Sequence, residues 1–151
     1  MEIERKFLFD RLPEDAGSAQ RIEQGYLAIS DDGTQVRVRR WANGQALTVK
    51  HGSGEVRTEV ELLLDEEQFS ELWPLTDGRR VTKTRWHAPL GDLEWDLDVF
   101  EGSLEGLKIA EIEFPDEAAA EAFDPPDWIG REVTDDPRYT NARLSTDGIP
   151  G

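Results

Sequence analysis

Leu93-Glu94-Trp95-Asp96-Leu97-Asp98-Val99-Phe100 alternates apolar and acidic residues from one end to the other. A period of two marks a β-strand, because successive side chains point to opposite faces. Outward from this stretch the alternation returns at Glu2–Phe9, Gln20–Ile29, Gln35–Trp41, Ala46–His51, Val56–Leu64, Arg79–His87 and Leu107–Phe114. Asp31-Asp32-Gly33, Asn43-Gly44, Gly52-Ser53-Gly54 and Gly102 to Gly106 supply turns between them. Most of these loops are hairpin-short, so neighbouring strands are expected to be antiparallel. Two helices interrupt the pattern. Asp65 is the candidate N-cap of one, which runs to about Trp73 and stops at Pro74, with Leu64, Phe69, Leu72 and Trp73 as its apolar face. The other runs from about Asp116 to Phe123, and Thr134–Leu144 is expected to add a short helix. The fold class expected is mainly β (α+β), as a closed eight-stranded antiparallel β-barrel with a few flanking helices, since closure removes exposed edges. No repeat or linker divides the chain, so residues 1–151 read as a single domain.

Charge sets the next bound. One third of the 151 residues are charged and the formal net charge is -16. Such a surface repels nucleic acid and anionic membranes unless its cations are gathered in one place. Disulfides and thiolate zinc sites are excluded by the absence of cysteine. His51 and His87 read as surface residues at strand ends, too few for a histidine-rich centre. A metal would therefore take oxygen ligands, as Mg²⁺ or Mn²⁺ does. The opening Met-Glu-Ile-Glu-Arg-Lys is too charged for a secretory signal, and no apolar stretch approaches a membrane span. A cytoplasmic protein is expected.

The charges sort by strand. Acidic rows are Glu2 and Glu4, Glu59 and Glu61, Glu94, Asp96 and Asp98, and Glu111 and Glu113; cations are Lys6, Arg37 and Arg39, Lys50, and Lys83 and Arg85. Residues i and i+2 share a face about 7 Å apart, so like charges lie side by side and repel unless counterions intervene. An ordinary sheet with one solvated face also alternates in this way, and cross-strand ion pairs could neutralise the rows. Sorting by sign on nearly every strand favours a face turned inward on a ligand. Acidic rows hold metal ions and basic rows hold phosphates, so the combination suits a metal–polyphosphate complex. The five tryptophans read as packing residues, and Glu117–Glu121 as a solvated helix face.

Glu2-Ile3-Glu4-Arg5-Lys6 resembles the E-x-E-x-K opening of the CYTH proteins, the triphosphate tunnel metalloenzymes. Arg37-Val38-Arg39, Lys50, Glu59-Val60-Glu61, Lys83-Thr84-Arg85, Asp96-Leu97-Asp98 and Glu111-Ile112-Glu113 follow in the family's order, and the tail Glu132-Val133-Thr134 to Arg138-Tyr139 and Asn141 is similar to its ending. Gln24-Gly25-Tyr26-Leu27, Leu72-Trp73-Pro74 and Gly78-Arg79-Arg80 look most like bacterial inorganic triphosphatases. The loop Asp10 to Ala19 matches no functional element. The resemblance implies an eight-stranded tunnel, a small-molecule triphosphate substrate and a divalent metal. It implies that Arg37, Arg39, Lys50, Lys83 and Arg85 bind phosphate. Glu2, Glu4 and Glu113 would hold one metal, and Glu61, Asp98 and Glu59 or Glu111 a second or a water. Lys6 and Tyr26 match a Lys–Tyr pair proposed to activate water in similar enzymes; the alternative is that Lys6 binds phosphate and Tyr26 packs. Tripolyphosphate hydrolysis is the leading expectation. Thiamine or nucleoside triphosphatase activity, a class IV-type adenylate cyclase and a non-enzymatic polyphosphate-binding module are the alternatives. No nucleic-acid or membrane partner is expected. Barrel outer walls often self-associate, so a homodimer is open to it.

Overall fold

A computed structural model describes residues 3–51 and 58–151. Glu2, the turn Gly52-Ser53-Gly54 and the first two residues of the expected fifth strand lie outside the described residues. Nine strands are present among them: β1 (Ile3–Phe9), β2 (Gly17–Ile29), β3 (Gln35–Trp41), β4 (Gly44–His51), β5 (Thr58–Leu64), β6 (Arg80–Leu90), β7 (Leu93–Phe100), β8 (Lys108–Phe114) and β9 (Ile129–Glu132). The helices are α1 (Glu66–Leu72), α2 (Glu117–Ala122) and α3 (Asn141–Asp147).

All eight expected strands form, with ends displaced by a few residues, and the mainly β antiparallel class holds. The closed eight-stranded barrel does not. The strand order β5-β4-β3-β2-β6-β7-β8-β1-β9 has two ends. The ninth strand is Ile-Gly-Arg-Glu, too short to show a period. It lies along β1 through Phe7↔Glu132 and Phe9↔Ile129, across a bulge. Part of the outer edge of β1 is therefore paired with a strand that the alternation did not announce.

The chain forms two compact units, Met1–Gln20 with Lys83–Pro137 and Arg21–Thr82 with Arg138–Gly151. In the first, β7 pairs with β6 and β8, and β8 with β1. The hairpin between β6 and β7 turns through Gly91, whose φ of 59° suits glycine. Alternation gives these strands one apolar face, where Phe7, Phe9, Ala88, Trp95, Leu97, Ala110, Ile112 and Phe114 are buried. Ala120 of α2 joins that core, and Phe123 packs on Phe7, Trp95 and Phe114 with ring centroids 6.4, 5.7 and 5.3 Å away. The helix starts where Asp116 accepts from the Ala119 amide.

In the second unit β3 pairs with β2 and β4, and β4 with β5. The tight turn between β3 and β4 is Ala42-Asn43; Gly44 already pairs with Trp41, one position away from the expected Asn-Gly turn. Asp65 caps α1 in a reciprocal box with Gln68. Pro74 does not end the chain's helical course but lies within a short 3₁₀ turn, Trp73–Thr76, where a missing N–H costs nothing. Phe69 is buried and stacks on Trp73 at 5.3 Å. The tail helix begins at Asn141, after a 3₁₀ turn at Pro137–Tyr139, rather than near Thr134.

Gly25 is required by proximity. A Cβ there would lie 2.5 Å from both Cβ and Oγ1 of Thr76, which is itself buried and hydrogen-bonded to the Trp73 carbonyl. Gly25→Ala is therefore expected to cost about 1–3 kcal/mol of unfolding free energy, read from urea denaturation. An unchanged midpoint would show that the Thr76 turn yields freely.

Candidate active site

Directly paired residues of an antiparallel ladder point to the same side of the sheet. The face of the first unit opposite its core therefore carries Glu4 and Lys6 on β1, Glu111 and Glu113 on β8, Asp96 and Asp98 on β7, and Arg85 and His87 on β6. Glu4 stands opposite Glu113, and Lys6 opposite Glu111. Glu111 also stands opposite Asp96. Arg85 pairs with Asp98, and His87 with Asp96. Facing carboxylates repel unless a cation or solvent separates them, and both Glu4 and Glu113 are exposed. Lys6 Nζ reaches Glu111 at 3.6 Å. Burial lifts the Asp96 carboxyl above its ordinary value, against the pull of Arg85 and His87. The carboxylates of this face offer oxygen donors, which fit Mg²⁺ or Mn²⁺.

Lys83 and Asp98 form the buried part of this face, at 0% and 1% exposure. Lys83 Nζ lies 2.8 Å from Asp98 Oδ2, while Arg85 Nε and Nη2 donate to Oδ1 and Oδ2 at 2.7 and 2.9 Å. Burial alone would raise the Asp98 carboxyl, but Lys83 and Arg85 hold it at about 2. Lys83 is drawn below its usual value, by burial first and by Arg85 next, with Asp98 opposing both. Asp98, expected among the metal ligands, is occupied by two cations expected to bind phosphate.

The second unit repeats the pattern with different chemistry. Register places Gln24 opposite Arg39 and Tyr26 opposite Arg37, then Arg37 opposite Thr48 and Lys50 opposite Glu59. Gln24 is fully buried and its Oε1 accepts from Arg39 Nε and Nη2 at 3.0 and 2.8 Å. Burial raises the Tyr26 phenol more than Arg37, Arg39 and Gln24 lower it, so it stays protonated at neutral pH. Arg37 Nε is buried with no hydrogen-bond partner among the described residues. Glu59 and Glu61 lie on β5, exposed. Lys6 belongs to the first unit and Tyr26 to the second.

Three features escaped sequence reasoning. Gln24 orients Arg39; its position two residues before Tyr26 was the available sign. His87 is not at a strand end, because β6 continues to Leu90, and its Nδ1 faces Glu94 and Asp96 at 3.1 and 3.0 Å. The tail Glu132-Val133-Thr134 holds β1: Glu132 pairs with Arg5 at 2.8 Å, the Val133 amide donates to the Lys6 carbonyl at 2.8 Å, and the Lys6 amide donates to Thr134 Oγ1 at 3.0 Å.

Asp98→Asn would leave Lys83 buried beside a neutral side chain, at an expected cost of about 3–5 kcal/mol near neutral pH. Because the folded carboxyl is depressed, its stabilisation is complete above its unfolded value near 4 and is lost as pH falls towards about 2. The stability gap between wild type and variant, measured by denaturant unfolding, should narrow over that interval. A gap that is independent of pH would contradict an ionised Asp98.

Comparison with known proteins agrees with this arrangement. A CYTH domain matches residues 1–141. The inorganic triphosphatase of Nitrosomonas europaea is 45% identical over 95% of this chain and 96% of its own length. That of Acetivibrio thermocellus is 40% identical over 95% and 92%. The crystal structure of the inorganic triphosphatase NE1496 is 44% identical and superposes with a TM-score of 0.82 over 100% of this chain and 97% of that one. With its charged rows in the family's order and its sheet in the family's fold, the chain belongs to the CYTH domain family.

Proposed function

We propose that this chain hydrolyses inorganic tripolyphosphate to pyrophosphate and phosphate with a divalent metal. The observation that carries the reading is Arg37. Its buried Nε lacks an acceptor among the described residues, on a sheet face shared with Arg39 and Lys50. Relatives named inorganic triphosphatase at 45% and 40% identity support it.

Arg37, Arg39, Lys50, Lys83 and Arg85 are assigned to phosphate oxygens. Guanidinium groups offer two parallel donors to a phosphate and lysines a point charge. Asp98 holds Lys83 and Arg85 in place. Glu4 and Glu113, with Glu2, are assigned to the metal, and Glu111, Glu59 and Glu61 to a second metal or a water. Mg²⁺ or Mn²⁺, when bound, would neutralise phosphate charge as the bridging bond breaks. A water oxygen attacks the terminal phosphorus, the P–O bond to the bridging oxygen breaks, and pyrophosphate leaves. Lys6 and Tyr26 are assigned to that water. As a neutral phenol, Tyr26 can orient it by hydrogen bonding, and Lys6 would take its proton when in the free-amine form. One catalytic domain, a cytoplasmic location, and no nucleic-acid or membrane partner belong to the same reading.

Purified protein with tripolyphosphate and Mg²⁺ or Mn²⁺ should release phosphate and pyrophosphate, and a chelator should stop it. Cyclic AMP from ATP, with no turnover of tripolyphosphate, would overturn the reading. Arg37→Ala and Arg85→Ala, one in each unit, should each lower kcat/KM for tripolyphosphate roughly ten- to hundredfold, the loss of a charge-assisted contact. Lys6→Ala should reduce kcat about 10²- to 10⁴-fold, with Tyr26→Phe less severe. Near-normal turnover by the lysine variant would remove the assigned base.

A further inference from the structure

We propose that His87, Glu94 and Asp96 form a divalent-cation site of their own, selecting imidazole-binding metals such as Co²⁺, Ni²⁺ or Zn²⁺ over Mg²⁺. The proposal stands apart from triphosphate hydrolysis, because it uses none of the residues assigned above to phosphate, metal or water. All three side chains lie in the first unit, on adjacent strands. His87 of β6 stands opposite Asp96 of β7, and Glu94 shares the face of Asp96 two residues away.

One ligand atom from each residue fits within a span of 4.8 Å. His87 Nδ1 lies 3.1 Å from Glu94 Oε1 and 3.0 Å from Asp96 Oδ1. Two donors each about 2.1 Å from one metal, at right angles, stand about 3.0 Å apart, so these two spacings match adjacent positions around one metal ion. Nδ1 is also buried and makes no hydrogen bond despite its two close oxygens. An ordinary histidine–carboxylate pair would direct the N–H at one oxygen; here neither contact has that geometry, an arrangement that suits a cation held between the nitrogen and the two oxygens. His87 and Asp96 are half-buried and Glu94 is exposed, so an ion can arrive from solvent and keep water on its remaining positions.

Imidazole decides the selectivity. Mg²⁺ prefers oxygen ligands and dehydrates reluctantly, whereas a nitrogen with two carboxylates suits the later divalent metals. The rows assigned to the catalytic metal hold oxygen donors only, so Mg²⁺ in excess should fill those and leave this cluster.

Calorimetric titration of Co²⁺ into the full chain saturated with Mg²⁺ tests the proposal. One Co²⁺ per chain should bind, and proton NMR should show a paramagnetically shifted imidazole N–H. His87→Ala and Glu94→Gln should each weaken binding at least tenfold, with His87→Ala abolishing the shifted resonance; His51→Ala should change neither. Circular dichroism and thermal unfolding of the variants check that they are folded. An absence of Co²⁺ binding, equal affinity in wild type and His87→Ala, loss of the resonance in His51→Ala instead, or displacement of Co²⁺ by Mg²⁺ at similar concentration would each overturn it.

Discussion

Two carboxylates held opposite each other across an antiparallel pair cannot both ionise comfortably without a cation between them. That constraint organises the charged face of the first unit. Glu4 meets Glu113, and Glu111 meets Asp96. The protein meets the constraint in two ways. Where the face is buried, it supplies its own cations, and Asp98 is gripped by Lys83 and Arg85. Towards solvent, Glu4 and Glu113 are exposed, where water screens their repulsion. The same ladder thus carries a buried ion network beside carboxylates that face solvent.

The second unit handles its cations differently. Gln24 turns a neutral amide oxygen to Arg39, which aligns the guanidinium without cancelling its charge. Tyr26 stands opposite Arg37 as a neutral phenol. The carboxylate of Asp98, by contrast, carries the opposite charge to Lys83 and Arg85 as it holds them.

Local positioning extends to residues that touch no ligand. Val133 and Thr134, just after β9, donate and accept at the backbone of Lys6, and Glu132 at the end of β9 ties down Arg5 on the opposite face. Neighbours on β1 are thus anchored along the backbone edge at Lys6 and by the side chain at Arg5. Gly25 serves the same end in the second unit, since the Thr76 turn presses on the backbone between Gln24 and Tyr26.

What depends on neighbours along the chain was legible without coordinates. The two-residue period located eight strands, Asp65 announced the start of α1, and i, i+2 spacing placed Arg37 with Arg39 and Glu111 with Glu113. The charged family pattern could be read for the same reason. What depends on partners far apart in sequence was not. The pairing of Lys83 and Arg85 with Asp98, the meeting of His87 with Glu94 and Asp96, and the facing of Glu4 by Glu113 all follow from strand register, where a slip of one residue would turn every side chain to the other face. The ninth strand was invisible because four residues show no period. Composition and spacing decided which groups each strand would present; hydrogen-bonded register, a property of the folded sheet, decided which of them would meet.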